Sequence, residues 1–262
     1  MSILRALVAT VVVCSALPAA ADVWDVQQDH DNNQGTDNEL IHGSIQIHDL
    51  GVLSGLQVDE DWYLVGQQAR SSYELVVDGV SGDVNDKGVE VQRLDSSLAL
   101  IQTSLAVTPG LDYARTLRWE NTRATFWRDD YLRIRSANCT TSCGPDDQYR
   151  VRFYETSFAI PRFNVSAAQT TVLLIQNPTS YDVTGNAYFW NATGTLEHTQ
   201  PFQVNAHALY SLALGTVPIL VNKNGTITIS HTARYGDLVG KAVALEPGTG
   251  FSFDSPMVWR PR

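Results

Sequence analysis

The chain has 262 residues, with 28 acidic against 18 basic side chains and a formal charge of -10. An excess of acid of this size disfavours polyanionic partners and excludes a broad nucleic-acid footprint. Hydrophobic residues make up 44% of the chain, enough for one large or two modest packed cores.

The first residues, MSILRALVATVVVCSALPAAAD, carry one Arg in a short head, an apolar stretch from Ala6 to Leu17, and Ala19-Ala20-Ala21 ahead of Asp22. This three-part layout predicts a cleaved signal peptide over residues 1–21 and a secreted or periplasmic mature chain of bacterial type. No later run approaches the roughly 18 to 20 apolar residues of a spanning helix, so no transmembrane segment is expected. Residues 22–36 form a polar N-terminal segment that contains DHDNNQG.

From there the sequence reads as strands. Runs such as SIQIHDL, DWYLVG, SYELVVDG, GVEVQRLD, LALIQTSL, ARTLRWEN, DYLRIRSA and QYRVRFYE recur between Gly, Asn and Asp clusters at the spacing of a sandwich. TSFAIPRFNVSAAQ, with Pro161 and little alternation, is read as a break. A second set follows: TTVLLIQNP, GNAYFWNA, HALYSLAL, GTITISHT and GKAVALEP. The predicted fold class is all-β, with two antiparallel β-sandwich domains over 37–157 and 158–262, the second of which resembles generic immunoglobulin-like sandwiches of bacterial exported proteins.

In DEDWYLV, alternation puts Asp59, Asp61 and Tyr63 on one face and Glu60, Trp62 and Leu64 on the other; Trp62 and Leu64 are expected in the core, with the acids hydrated at the strand mouth. Two carboxylates two residues apart on one strand do not flank a scissile bond from opposite sides, which argues against glycoside hydrolysis. They are candidate calcium ligands instead, together with Asp83 and Asp86 of the DVNDKG loop, because oxygen donors from a strand mouth and a polar loop can converge on a hard cation.

Cys139 and Cys143 in NCTTSCG are expected to form a local disulfide, since exported thiols meet an oxidising compartment. Alternation in YLRIRSA and YRVRFYE sends Leu132, Ile134, Tyr149, Val151 and Phe153 inward and Arg133, Arg135, Arg150 and Arg152 outward. Read as a hairpin closed by the cysteine loop, these strands place four arginines on one face. That face is either solvated and ion-paired or a docking surface for an anionic glycan or partner. Tyr188 and Trp190 share one face of GNAYFWNA and are a candidate sugar platform, with burial in the core as the alternative.

The order DNELIHGSIQIHDL, DEDWYLV, YELVVDG, VEVQRLD, YLRIRSA and YRVRFYE resembles the bacterial pre-peptidase C-terminal domain over roughly residues 37–157. Asp59, Asp61, Trp62 and Tyr63 fall on that family's opening motif, and Tyr131, Leu132 and Arg133 on its closing one. The resemblance implies a jelly-roll-like sandwich exported beside secreted hydrolases, without catalysis of its own, that assists secretion or substrate adhesion.

Reactive arrangements are sparse. Extended chain at about 3.3 Å per residue puts His42 and His48 about 20 Å apart, so a shared ion requires a chain reversal. His231 and Asp237 lack a G-x-S-x-G partner. No catalytic residue and no transition-metal set are assigned, and the only cofactor considered is calcium. The expected function is non-catalytic binding or adhesion, directed at an extracellular glycan or protein. The competing readings are a calcium-assisted secreted hydrolase and a structural component of an envelope assembly.

Overall fold

The computed structural model describes Trp24 and residues 31–51, 59–82, 88–108, 111–127, 130–136 and 143–261. The signal-like leader, Asp83, Asp86 and Cys139 lie outside these residues. Among the described residues the chain is all-β, apart from two single-turn 3-10 helices, Leu214–Thr216 and Pro218–Leu220. No helix among them is long and apolar enough to cross a membrane.

Ten strands among the described residues build the first sandwich: β1 (Glu39–Leu40), β2 (Ile45–Asp49), β3 (Glu60–Val65), β4 (Ser71–Gly79), β5 (Val89–Leu94), β6 (Leu100–Thr103), β7 (Leu105–Thr108), β8 (Leu111–Asn121), β9 (Tyr131–Ser136) and β10 (Gln148–Glu155). They form two five-stranded sheets ordered β1-β3-β9-β5-β6 and β2-β10-β4-β8-β7. β1 runs parallel to β3, and the other pairings between these strands are antiparallel. The strict alternation of QYRVRFYE buries Tyr149, Val151 and Phe153 in one core with Leu75 of the neighbouring β4 and with Tyr63, Leu132 and Ile134 of the facing sheet.

Two corrections to the sequence reading follow from this topology. In β3 the interior face carries Asp61, Tyr63 and Val65, all fully buried, while Trp62 lies on the outer face beneath the Arg133 guanidinium, 5.1 Å from the ring centroid, with Tyr131 edge-on. An aromatic ring under an arginine is shielded from water without entering the core, which is why a Trp could sit outward and leave the carboxylates inside. Second, β9 and β10 belong to opposite sheets and are not paired as a hairpin.

The second sandwich comprises β11 (Phe158–Val165), β12 (Thr170–Gln176), β13 (Val183–Asn191), β14 (Leu196–Val204), β15 (Leu209–Ala213), β16 (Lys223–His231), β17 (Val239–Glu246), β18 (Phe251–Pro256) and β19 (Val258–Trp259). Its sheets are ordered β14-β13-β16-β11-β19 and β15-β12-β17-β18, around Ile160, Phe163, Leu173, Ile175, Phe189, Ile227 and Ile229. The segment read as a break is itself β11. Its pairing with β16 slips between Ile160 and Phe163, and the exposed Pro161 falls in that irregularity, where a missing N–H costs no ladder bond. β14, which contains Pro201, is tolerated for a related reason: it is an edge strand.

Thr156 and Ser157 join the sandwiches without slack. Both are buried: the Thr156 amide donates to the Ser72 carbonyl at 2.8 Å, the Ser157 hydroxyl accepts from the Ser72 amide at 2.8 Å, and the Arg260 amide donates to the Ser157 carbonyl at 3.0 Å. A stack of rings continues the junction, with Tyr154 4.6 Å from Tyr235 and Tyr235 4.3 Å from Trp259.

Candidate metal centre

Three separate segments meet at one end of the first sandwich. β3 supplies Asp61 from one sheet, β2 supplies His48 from the other, and the polar stretch ahead of β1 supplies Asp31. Main-chain bonds deliver that stretch to the site: the amide of Trp62 donates to the carbonyl of Asp31 at 2.6 Å, and that of Leu64 to the carbonyl of Asn38 at 2.9 Å. The N-terminal segment thus runs along the free edge of β3, covering an edge that would otherwise present unpaired amides.

The side chains converge tightly. His48 Nδ1 lies 3.2 Å from Asp31 Oδ2 and 3.7 Å from Asp61 Oδ1, and one donor atom from each residue falls within 4.8 Å of the others. Asp31 and Asp61 are 0% exposed and His48 1%. Trp24 and Tyr149 stack on the imidazole at centroid distances of 5.5 and 5.8 Å, and Tyr63 meets it edge-on at 5.3 Å. Asp59, two residues before Asp61, is buried as well.

The protonation of the imidazole follows from its neighbours. Asn38 and Gln46 exchange two amide bonds, Gln46 Nε2 donating to Asn38 Oδ1 at 2.9 Å and Gln46 Oε1 accepting from Asn38 Nδ2 at 3.1 Å. Gln46 Oε1 therefore acts as an acceptor, and His48 Nε2, 3.0 Å away, must donate to it. That leaves Nδ1 pointing at two carboxylates. A lone pair cannot face two anions there, so either a proton, on the ring or on a facing carboxyl, or a metal cation stands between them. Apart from this ring nitrogen, neither oxygen of Asp31 has a hydrogen-bond donor among the described residues.

Asp61 accepts a short hydrogen bond from the Tyr149 hydroxyl. Burial pushes its carboxyl up to about 7, against the opposing pull of His48 and Tyr149. Burial likewise raises the Tyr149 phenol well above its ordinary value, and the Asp61 charge adds to the effect. The site thus holds more acid than its own bases and donors neutralise, inside a dry and aromatic wall.

The other residues singled out from sequence fall elsewhere. Arg133 and Arg135 lie on the sheet containing β9, where Arg133 pairs with Glu60 at 3.2 Å and Arg135 with Glu90 at 3.2 Å. Arg150 and Arg152 lie on the other sheet, and both bind Asp78. The four arginines do not form one face: Glu60 of β3 and Glu90 of β5 hold the first pair, and Asp78 of β4 holds the second. Tyr188 is 1% exposed, within 3.5 Å of the Ser230 hydroxyl, and Trp190 donates to Thr228 Oγ1 at 3.1 Å. The Arg70 guanidinium of the first sandwich sits over both rings, 5.2 and 5.8 Å from their centroids, so this aromatic face is a domain contact and no open platform. Cys143 is packed into the first core. His231 is also structural: Nε2 donates to the Thr156 carbonyl at 2.7 Å, Nδ1 accepts from the Ala233 amide at 3.1 Å, and Asp237 accepts from the Tyr181 hydroxyl.

Sequence reasoning missed Asp31, and it set His48 aside after weighing it only as a partner of His42. The available signal was one acid-rich stretch, DHDNNQ, upstream of a histidine in the short strand IQIHD, but nothing local links them. The link is the chain reversal that lays residues 31–38 along β3.

No family model and no curated protein matches the chain. Solved structures give distant likenesses. A β-glucuronidase 2 of Bacteroides uniformis bound to a cyclophellitol-type aziridine is 9% identical with a TM-score of 0.21, covering 81% of this chain and 32% of that one. A second structure of a B. uniformis β-glucuronidase is 11% identical with a TM-score of 0.20, covering 75% of this chain and 26% of that one. A β-glucuronidase of glycoside hydrolase family 2 is 8% identical with a TM-score of 0.18, covering 81% and 25%. The chain spans at most 32% of the length of these enzymes. Likeness at these TM-scores identifies neither its fold nor its activity.

Proposed function

We propose that this chain is a non-catalytic exported binding protein whose first sandwich is completed by a divalent cation held by Asp31, His48 and Asp61. The observation that carries the reading is the convergence of those three buried side chains, with His48 Nδ1 aimed between two carboxylates. Without an ion the two buried carboxyls are offset only by protons held on His48 and on Asp61, and loss of either proton leaves a buried anion that costs several kcal/mol. A divalent ion removes that cost and locks the N-terminal segment to both sheets.

An imidazole nitrogen beside carboxylates suits zinc or manganese, whereas calcium prefers oxygen donors throughout. The full burial of the three ligands supports a structural role, since a catalytic metal keeps an open position for water or substrate. Export rests on the signal-like leader, and an accessory or adhesive role on the resemblance to the pre-peptidase C-terminal domain.

The test is thermal unfolding of chelator-stripped protein with calcium, manganese or zinc added back. At 100-fold excess over its dissociation constant a cation adds about 2.7 kcal/mol, a rise of roughly 5–15 °C for a domain of this size. Asp61→Asn abolishes the response. Superimposable curves under all conditions would remove the reading.

A further inference from the structure

A cleft of about 350 Å³ opens beside the junction of the two sandwiches, and nothing described above uses it. Its walls carry Phe126, 51% exposed, and Ile41, 65% exposed, next to the carboxyl groups of Glu39 and Glu155 and the guanidinium of Arg260. Gly66 lines it between two of these side chains: a methyl group there would come within 3.1 Å of both Glu39 Oε1 and the Phe126 ring. Arg260 is anchored by donating to the Ala69 carbonyl at 2.9 Å and to the Ser71 hydroxyl, so the cleft is lined from both domains and fixed by the rigid junction.

We infer that this cleft binds a single pyranose unit of a neutral or amino sugar. The inference rests on reading the chain as an exported binding protein and supplies its ligand class; it does not depend on the cation. A pyranose presents a face of C–H groups that packs on an aromatic ring, and an equatorial belt of hydroxyls that donate to carboxylates and accept from a guanidinium. The cleft offers both kinds of surface within a volume at the lower end of small-ligand sites and too small for several peptide residues. Its two carboxylates against one anchored arginine disfavour uronic acids and sulfated sugars, and they favour a hexosamine ammonium where one is present.

The experiment is calorimetric titration of the full protein with cello-, chitin- and chitosan-oligosaccharides, and with oligogalacturonate as the anionic comparison. The expected result is binding of at least one of the first three and none of the last. Phe126→Ala should weaken binding at least tenfold while leaving the melting temperature unchanged, and Gly66→Ala, whose methyl group presses on Glu39 and Phe126, should weaken it at least tenfold as well. Absence of binding by all three, binding of oligogalacturonate alone, or equal affinity in both variants would overturn it. Repeating the titration on chelator-stripped protein separates the two proposals: a cation effect on melting without sugar binding defeats only the cleft, and the reverse defeats only the metal site.

Discussion

The Nδ1 atom of His48 stands 3.2 Å from a carboxylate oxygen of Asp31, although the two residues lie in segments that approach only because residues 31–38 fold back along β3. This contact joins the N-terminal segment to the sandwich. Replacing His48 by Gln, or Asp31 by Asn, should weaken cation binding at least tenfold, because each removes one of three protein donors. Metal titration of the stripped variants measures this directly.

Gln46 touches none of the carboxylates, yet it fixes which nitrogen of His48 is protonated. Gln46→Leu should lower cation affinity by about 10- to 100-fold, the usual scale for a lost partner behind a histidine ligand. Gln46→Glu, which still accepts from Nε2, should retain more of it. A merely structural role would not give this order.

The cation should also govern the N-terminal segment. Chelation is expected to speed proteolytic cleavage between residues 31 and 38, with the rest of the first sandwich cut no faster. Identical digestion patterns with and without chelator would separate the segment from the site.

His231 sets a pH dependence of a different kind. Burial holds it well below the ordinary histidine value, at about 4, and the Ala233 amide donating to Nδ1 keeps one neutral tautomer. The unfolded chain protonates near 6.5 and the folded one does not, so the native state binds fewer protons between those values. Stability is therefore full above about 6.5 and falls as pH drops toward 4, by about 3 kcal/mol in total. Denaturant midpoints across this range should show the slope in wild type and a shallower one in His231→Gln.

Gly225 has φ +155°, and a methyl group there would lie 1.8 Å from the Trp190 carbonyl across the β13–β16 ladder. Gly225→Ala should destabilise the second sandwich by more than about 2 kcal/mol, since backbone on both sides must move. Chemical denaturation checks this, with Gly248→Ala, which meets nothing within 4 Å, as the neutral comparison.

Much of the fold was legible in the sequence because alternation in runs such as QYRVRFYE and TTVLLIQ reports sheet faces directly. Three elements misled for physical reasons. In β3 the outward Trp62 is covered by Arg133, so hydrophobicity pointed to the wrong face and buried acids read as hydrated ones. In β11, Pro161 signalled a break where it marks a bulge. The adjacency of YLRIRSA and YRVRFYE in sequence suggested a hairpin, whereas the strands lie in facing sheets and their arginines divide between two surfaces. The candidate metal centre was only half legible. Asp59 and Asp61 stood out as acids, but their calcium partners were sought in Asp83 and Asp86, outside the described residues, and the partners found for Asp61 come from two distant segments that share no motif.

The most direct measurement is the metal content of the protein by mass spectrometry after equilibrium dialysis against calcium, manganese and zinc, in wild type and in Asp61→Asn. The expected result is one tightly held divalent ion per wild-type chain, with zinc or manganese preferred over calcium, and loss of that ion in the variant. Wild-type protein that emerges metal-free from all three dialyses, or a variant that retains the same ion at the same stoichiometry, would contradict the account.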